Sequence, residues 1–318
     1  MKALKILSKQ MFALFLLIVT TNCYSQITTI VTPKEKEKEI LKYDSLENLN
    51  PKNVMLHVGQ TLFLKGDSYS KENGFSYNFY TKKVSSLLNE ENFKYKPVKL
   101  SKDKIVSDYT ALVGKYYKVI SVELDENNTV GHYWIKLLAP DDTLFYYTFD
   151  KIDNLSDFVT LGYYEKMKQT FVGKDFYTTG RYELEKIDVK EKIILPYKVK
   201  FRCTDIAVNV GEDGPIFAVL ENEKYGRIKG VIIKGKKLDN FITVSYYNDC
   251  IKKYGAKFGS DVAEGKVEIG MNKNMVRDAW GSPDNVNVTE GSFGRHEQWV
   301  YKDRYLYFQN GKLTSMQL

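Results

Sequence analysis

Alternating apolar and polar positions dominate the middle of the chain and predict many short strands. Tyr116–Leu124 and Tyr133–Leu138 flank the turn-rich link Asp125-Glu126-Asn127-Asn128, and Thr143–Phe149 follows. Alternation with a period of two, bounded by turn residues, is typical of antiparallel strands. These runs predict a three-stranded meander, and similar runs continue from 197 to 233.

A short motif, Val-Gly followed by Gln or Lys, opens three of the strand-rich stretches. It occurs at Val58-Gly59-Gln60, Val113-Gly114-Lys115 and Val172-Gly173-Lys174, with the glycines 55 and 59 residues apart. Units of this size that begin alike are typical of tandem small β-barrels or of a repeated β-meander. The motif is also common before strands, so coincidence remains an alternative. The sequence thus predicts a β-rich region over 51–240, in which repeated small units are one interpretation.

The last quarter of the chain has a different period and predicts a small α+β module over 241–318. One apolar stripe at helical spacing comprises Met271, Met275, Val276, Ala279 and Trp280. Asn272 is suited to cap the start of this helix, because its side-chain oxygen accepts from free N–H groups of the first turn. Gly281 and Pro283 are suited to end it.

Three strand-like runs follow this helix. They are Glu297–Tyr301, Tyr305–Phe308 and Lys312–Leu318. Asn310-Gly311 before the last run is a strong hairpin signal, because both residues tolerate a positive φ. A second helical face lies upstream, over 247–258. The module is therefore predicted to have two helices that cover one face of three strands.

This order resembles the SmpA/OmlA (BamE-like) family of outer-membrane assembly lipoproteins. The segments that carry the resemblance are Ile269-Gly270-Met271, Met275-Val276, Trp280–Asp284, Gln298–Tyr301 and Tyr305–Phe308. The resemblance covers about 247–318, and the layout is also similar to one repeat of the β-lactamase inhibitor proteins. It implies a protein-interaction domain of the cell envelope that has no active site.

The first residues predict the cellular localisation of the protein. Three lysines within the first nine residues precede the apolar run Met11–Val19, which predicts a secretory signal peptide over 1–25. The run is too short to cross a bilayer, and we expect no transmembrane segment. The expected location is the periplasm or the extracellular space. Lipidation of Cys23 is the alternative, and it would make the protein an outer-membrane lipoprotein in contact with the membrane.

Charge gives little information about a partner. The run Lys34–Glu39 alternates in sign and predicts an exposed charged arm over 26–50. The chain has 47 basic and 40 acidic residues, and removing the three lysines of the predicted signal peptide leaves 44 and 40. Since these charges are nearly balanced and interleaved, they do not favour nucleic acid. The expected partner is an envelope protein.

Two cysteines, Cys203 and Cys250, follow the predicted signal peptide. An oxidising compartment would allow them to form a disulfide that ties the C-terminal module to the β-rich region. Cys203 falls in a predicted strand and Cys250 on the buried face of a predicted helix. Two separate buried thiols are therefore the alternative.

The sequence shows no arrangement of residues that is typical of catalysis. His57, His132 and His296 are scattered, without the spacing of metal ligands, so we expect no metal or cofactor. No nucleophile motif is present. The chain is therefore predicted not to be an enzyme. A hydrolase with a site around His132 or Cys203 is a further hypothesis.

Aromatic residues of the C-terminal module are the candidate partner-binding residues. They are Trp280, Trp299, Tyr301, Tyr305 and Tyr307. Packing between helix and sheet is one interpretation of this stripe. The other is an exposed anchor surface, since Trp and Tyr concentrate binding energy. Strand alternation predicts that Leu306 and Phe308 are buried and that the two neighbouring tyrosines are more exposed.

The predicted fold is mainly β with a C-terminal α+β module. Tandem small β-barrel or β-meander units would precede a two-helix, three-strand BamE-like domain. The predicted function is that of a secreted, non-catalytic, protein-binding protein of the cell envelope with a C-terminal adaptor module. The alternative is an enzyme inhibitor or a cell-wall-binding protein that uses the β-rich region.

Overall fold

The protein is described by a computed structural model. It describes residues 42–84, 91–101, 104–125, 132–150, 157–189, 191–210, 214–292 and 294–318. The fold is mainly β, as predicted. Within these residues, the strands surround three large hydrophobic clusters and a small fourth one. The predicted signal peptide, Cys23 and the charged run at 34–39 lie outside the described residues.

Helices occupy less of the described chain than strands. The α-helices are α1 (Ser68–Asn73), α2 (Tyr109–Leu112), α3 (Leu161–Phe171), α4 (Val244–Ala263) and α5 (Lys273–Trp280). Two short 3₁₀ helices cover Val54–His57 and Glu91–Phe93. Of these elements, α3 connects the first sheet to the second, and α4 and α5 pack against the C-terminal sheet.

The first sheet contains the predicted meander. Its strands are β1 (Thr61–Leu64), β2 (Phe79–Tyr80), β5 (Tyr116–Leu124), β6 (His132–Leu138), β7 (Leu144–Asp150) and β8 (Phe158–Thr160). They pair antiparallel in the order β2-β7-β6-β5-β1-β8. A separate hairpin joins β3 (Pro97–Ser101) to β4 (Lys104–Ser107). The prediction of a meander is confirmed by β5 to β7, whose inward aromatic side chains fill the first core.

The second sheet is nearly closed into a barrel. Its strands are β9 (Asp175–Thr178), β12 (Lys200–Val208), β13 (Ile216–Asn222), β14 (Gly226–Ile233), β15 (Lys237–Leu238) and β16 (Phe241–Thr243), and the hairpin β10 (Tyr182–Glu185) and β11 (Lys192–Leu195) stands apart. The pairing order is β15-β14-β13-β12-β9-β16. The two edge strands meet at a short turn, in which Asp239 N–H donates to Val231 and the Asn240 carbonyl accepts from Thr179. These bonds bring the edges of the sheet together.

The Val-Gly motif has the same structural role at two of its three sites. Gly59 and Gly173 adopt φ of 83° and 80°, which disfavours residues with a Cβ. Each follows a helical turn and leads into a strand, β1 or β9, that pairs with the first strand of a meander. Gly114, with φ of 80°, precedes β5; its N–H donates to the Leu64 carbonyl, and Leu64 N–H donates to the Lys115 carbonyl. The three motifs therefore share one local turn, although only Gly59 and Gly173 lead into a short strand beside a meander, and the interpretation as repeated small units stays a prediction.

The hydrogen bonds around Gly59 and Gly173 match, as do those of the strands that they contact. Gly59 N–H donates to the Val119 carbonyl, and Val119 N–H donates to the Gln60 carbonyl, both at 2.9 Å. Gly173, Lys174 and Cys203 make the same exchange at the same distances. The strands that contain Val119 and Cys203 each change register immediately afterwards, as a β-bulge does.

A seven-residue segment also occurs twice. Phe158–Tyr164 reads Phe-Val-Thr-Leu-Gly-Tyr-Tyr, and Phe241–Tyr247 reads Phe-Ile-Thr-Val-Ser-Tyr-Tyr. In both, the first three residues form the edge strand beside β1 or β9, and the rest begin the next helix. Helix α3 therefore leaves the first sheet as α4 leaves the second.

Residues 42–50 are packed against the protein, although the sequence placed them in an exposed arm. Leu49 is buried in the first core, and Asn48 bonds to the edge strand β8. The prediction of an exposed arm over 26–50 is therefore wrong for 42–50, because apolar and amide side chains there replace the alternating charges of 34–39. Residues 26–41 lie outside the described residues.

The C-terminal sheet has four strands where the sequence predicted three. They are β17 (Asn285–Gly291), β18 (Gly294–Tyr301), β19 (Arg304–Gln309) and β20 (Lys312–Gln317), paired in that order. Strand β17 was missed because it is an exposed edge strand and carries no continuous apolar face. The predicted helix is α5, which Asn272 caps by accepting from Met275 N–H at 3.0 Å. The predicted hairpin turn is also present, with positive φ at Asn310 and Gly311.

Helix α4 is interrupted at Gly255, where φ is 77° and ψ is 168°. The chain then turns back so that Gly259 packs against the preceding segment. A Cβ at Gly259 would lie 2.6 Å from the Cys250 carbonyl oxygen and 2.6 Å from Ile251 Cα. This close approach of two backbone segments needs glycine.

We expect Gly259→Ala to lower the free energy of unfolding by about 2 kcal/mol, because neither backbone segment can move away from the added methyl group. Chemical denaturation monitored by circular dichroism measures this loss. Ser260→Ala, at the next residue, is the matched control and should change stability by less than about 0.5 kcal/mol. Equal effects of the two variants would contradict the packing argument.

Candidate binding surface

The register of the C-terminal sheet separates its side chains into two faces. Helices α4 and α5 lie over the face that carries Trp299, Leu306 and Phe308, and we call this the covered face. Leu306 and Phe308 are buried and Tyr305 and Tyr307 are partly exposed, as alternation predicted. The five candidate aromatic residues therefore lie in three different settings.

Trp299 belongs to the core, and its prediction as a surface contact is wrong. It is fully buried on the covered face, where the Arg277 guanidinium lies 4.7 Å from the ring centroid. Its indole N–H donates to Glu297 at 3.0 Å. Strand alternation places Trp299 and Glu297 on the same face, so both side chains lie under α5.

Glu297 is a buried carboxylate with three donors. Lys273 on α5 lies 2.5 Å away, Arg295 Nε lies 2.7 Å away, and Trp299 supplies the third bond. Burial by itself would raise the pKa of Glu297, but these hydrogen bonds lower it to about 2. The ionised carboxylate therefore links α5 to β18 at neutral pH.

Trp280 and Tyr301 form a pair at the edge of the module. Their rings meet edge to face with centroids 5.5 Å apart. Trp280 donates to the Gly265 carbonyl and Tyr301 to the Gly281 carbonyl, each at 2.9 Å. Burial raises the pKa of Tyr301 to about 12. Since both polar groups bond to backbone, this pair mainly braces the loops around α5.

Tyr305 and Tyr307 lie on the opposite side of the sheet, which we call the open face. Two rows of directly opposed residues cross this face. They are Asn285, Val300, Tyr305 and Gln317 in one row, and Asn287, Gln298, Tyr307 and Ser315 in the other. Neither row contains a charged residue.

Side-chain hydrogen bonds connect the second row. Asn287 donates to Gln298 at 2.9 Å, and Gln298 Nε2 donates to the Tyr307 hydroxyl at 3.1 Å. Asn285 donates to Asn287 at 3.3 Å. The bonds hold the amides and the phenol ring across three strands, so these two rows present ordered polar groups without net charge.

Sequence reasoning found the two tyrosines of the open face but missed Asn285, Asn287 and Gln298. The available signal was the alternation Asn-Val-Asn-Val from 285 to 288, which assigns the asparagines to one face of a strand. Without the register of β17 against β18, that signal does not place them beside Gln298.

The two cysteines do not form the disulfide that an oxidising compartment would allow. Both are free, buried thiols, with Cys203 in the second core and Cys250 in the third. The strand and the helix that carry them face different cores, which keeps the thiols apart. Burial raises the pKa of Cys203 to about 11, and the Asp205 carboxylate adds to this shift. Cys203 is therefore a protonated thiol at neutral pH, which disfavours it as a nucleophile. The His132 side chain lies outside the described residues.

Comparisons with known proteins give no relative. No family model, no curated protein and no solved structure matches the chain. Among the described residues, no helix is long and apolar enough to span a bilayer. The same part of the chain holds no cluster of three His, Cys, Asp or Glu side chains arranged to bind a metal.

The Glu297 carboxylate should make stability depend on pH. Its folded pKa lies below its usual value, so its contribution is present above about pH 4.5 and is lost as the pH falls towards 2. We expect Glu297→Gln to lower the free energy of unfolding by about 2 kcal/mol at pH 7, because Lys273 and Arg295 lose their charged acceptor. The difference from the wild type should shrink between pH 4.5 and 2.

Denaturant titrations of both proteins at pH 7 and at about pH 2.5 test this. A stability difference that stays the same at the two pH values would show that the carboxylate charge is not the stabilising feature.

Proposed function

We propose that the chain is a secreted, non-catalytic protein of the cell envelope that binds a protein partner through the open face of its C-terminal sheet. The observation that carries this proposal is the partly exposed row of Asn287, Gln298 and Tyr307, held in place by side-chain hydrogen bonds. Tyr and amide side chains suit protein recognition, because they supply contact area and hydrogen bonds while losing little conformational entropy on binding. The predicted signal peptide supports the location in the envelope.

The order of two helices and an antiparallel sheet also supports an adaptor module of the BamE-like kind. In this proposal α4 and α5 form one layer and the covered face of the sheet forms the other. The fourth strand, β17, extends the layout expected from the family resemblance and adds its asparagines to the open face. The module ends a chain whose β-rich region serves as scaffold.

We further infer that the β-rich region consists of two related small units. The matching bulges after Val119 and Cys203 and the seven-residue segment that begins at Phe158 and again at Phe241 support this inference. Each unit would end in the helix that starts the next part of the chain.

The proposed surface is tested with a photoreactive amino acid at Ser315 on the open face. The protein is exposed to envelope extracts, illuminated and analysed for a discrete cross-linked product. We expect Tyr305→Ala with Tyr307→Ala to reduce this product at least about tenfold, because tyrosines often dominate interface energy.

The matched control removes two tyrosines elsewhere. Tyr69 and Tyr77 are 66% and 54% exposed in the β-rich region. Tyr69→Ala with Tyr77→Ala should leave the product unchanged. Loss of the product in the control alone would favour recognition by the β-rich region, and the absence of any product in the wild type would count against the proposal.

A further inference from the structure

The N-terminal segment 42–50 occupies a defined site beside β8. Asn48 Nδ2 donates to the Phe158 carbonyl at 2.7 Å, and Asn48 Oδ1 accepts from Thr160 N–H at 2.8 Å. Lys65 N–H donates to the Asp157 carbonyl. The backbone N–H and C=O groups of residues 157 and 159 therefore point towards β1, and those of residues 158 and 160 point away from the sheet. One asparagine side chain therefore acts as a short strand partner for the outer edge of β8.

The rest of the segment packs around the same edge. The Tyr43 ring lies 4.3 Å from the His57 ring, between centroids. A Cβ at Gly162 would lie 2.9 Å from Ser45 Oγ and 3.4 Å from the Tyr43 ring. Ser45 itself has a φ of 61°. The site therefore holds three features of the segment: the aromatic ring of Tyr43, the positive φ of Ser45 and the side-chain amide of Asn48.

The outer edge of β16 has the same arrangement. Thr179 N–H bonds to Asn240, whereas Thr178 bonds to residues 198 and 199 on the other side. The backbone groups of Tyr177 and Thr179 therefore point towards β16, where they meet Ile242 and Asn240. The alternate groups of β16, the Phe241 carbonyl and the Thr243 N–H, point away from the sheet. These two groups correspond to those of Phe158 and Thr160. No donor or acceptor within the described part of the chain bonds to them.

Two adjoining cavities of about 560 Å³ and about 500 Å³ lie along this edge, and we call them the β16 cleft. They share Thr243 and Tyr246, the counterparts of Thr160 and Tyr163. The cleft is also lined by Phe171, Lys174 and Ser245. These are the counterparts of the residues that surround segment 42–50 at the first site, namely His57, Gln60 and Gly162.

We propose that the β16 cleft binds an extended protein segment with the pattern aromatic-x-Gly-x-x-Asn. The asparagine bridges the Phe241 carbonyl and the Thr243 N–H as Asn48 bridges β8. The aromatic ring packs against Phe171 in place of His57. Glycine is required at the third position because Ser245 has a Cβ where Gly162 has none, and because positive φ favours glycine there. This site is separate from the open face and does not depend on the function proposed above.

The probe is a fluorescent peptide with the sequence of Lys42–Asn50 and the change Ser45→Gly, titrated with the full chain and followed by anisotropy. We expect saturable binding that weakens at least about tenfold when the peptide also carries Asn48→Asp, because a carboxylate cannot donate to the Phe241 carbonyl and is repelled by it. The peptide that retains Ser45 should bind less tightly than the glycine peptide.

Two substitutions at one position of the protein form a matched pair. Thr243 has a φ of −65°, which proline can adopt. Thr243→Pro removes the N–H and the helix-capping hydroxyl, whereas Thr243→Ala removes only the hydroxyl. We expect Thr243→Pro to weaken peptide binding at least about tenfold and Thr243→Ala to change it less than about threefold. Equal losses in both variants, or none in Thr243→Pro, would overturn the proposal.

A cross-linking measurement gives an independent result, even if Thr243→Pro does not fold. With benzoylphenylalanine in place of Tyr43, the probe should attach near Phe171 and Lys174. Attachment near His57 would mean that it displaces the chain's own segment, and failure to bind at millimolar concentration would also overturn the proposal. Tyr305→Ala with Tyr307→Ala should leave peptide binding unchanged, which separates this site from the open face.

Discussion

The two-way backbone exchange between a glycine-led turn and a strand fixes much of this structure. Gly173 and Lys174 exchange hydrogen bonds with Cys203, and Gly59 and Gln60 do so with Val119. Each exchange requires a positive φ at the glycine and sets a bulge in the longer strand. The exchange between Lys174 and Cys203 continues the register of β9 against β12, and β9 in turn pairs with β16. The start of α4, and with it the C-terminal module, depends on that pairing.

The C-terminal module is attached to the second sheet by polar contacts that surround a small aromatic contact. Lys198 donates to the Tyr247 hydroxyl at 3.1 Å, and Tyr247 packs edge to face against Tyr177. Tyr197 donates to Glu264, which also accepts from Lys266 at 2.7 Å. The β16 cleft lies next to this attachment, so its walls come from both parts of the chain.

Local signals predicted the elements of the fold well where one residue type has one structural use. Asn272 at a helix start, Asn310-Gly311 in a hairpin and the alternation of Tyr305–Phe308 each follow from backbone geometry or strand period. Trp299 shows the limit of this reasoning. Its residue type suits a core and a binding surface equally, and only the position of α5 over β18 decides between them. Strand β17 shows another limit, because an edge strand needs no continuous apolar face.

The sequence by itself determined the strand-rich character of the chain, its C-terminal helix-and-strand order and the alternating direction of the side chains in Tyr305–Phe308. Those features depend on neighbours within a few positions. The tertiary structure decided which strand each of the three Val-Gly turns bonds to, that Cys203 and Cys250 face different cores, and that Asn287 lies beside Gln298. It also decided that residues 42–50 fill a site whose counterpart lies beside β16. The physical reason is that these relations join residues far apart in the chain through register and packing.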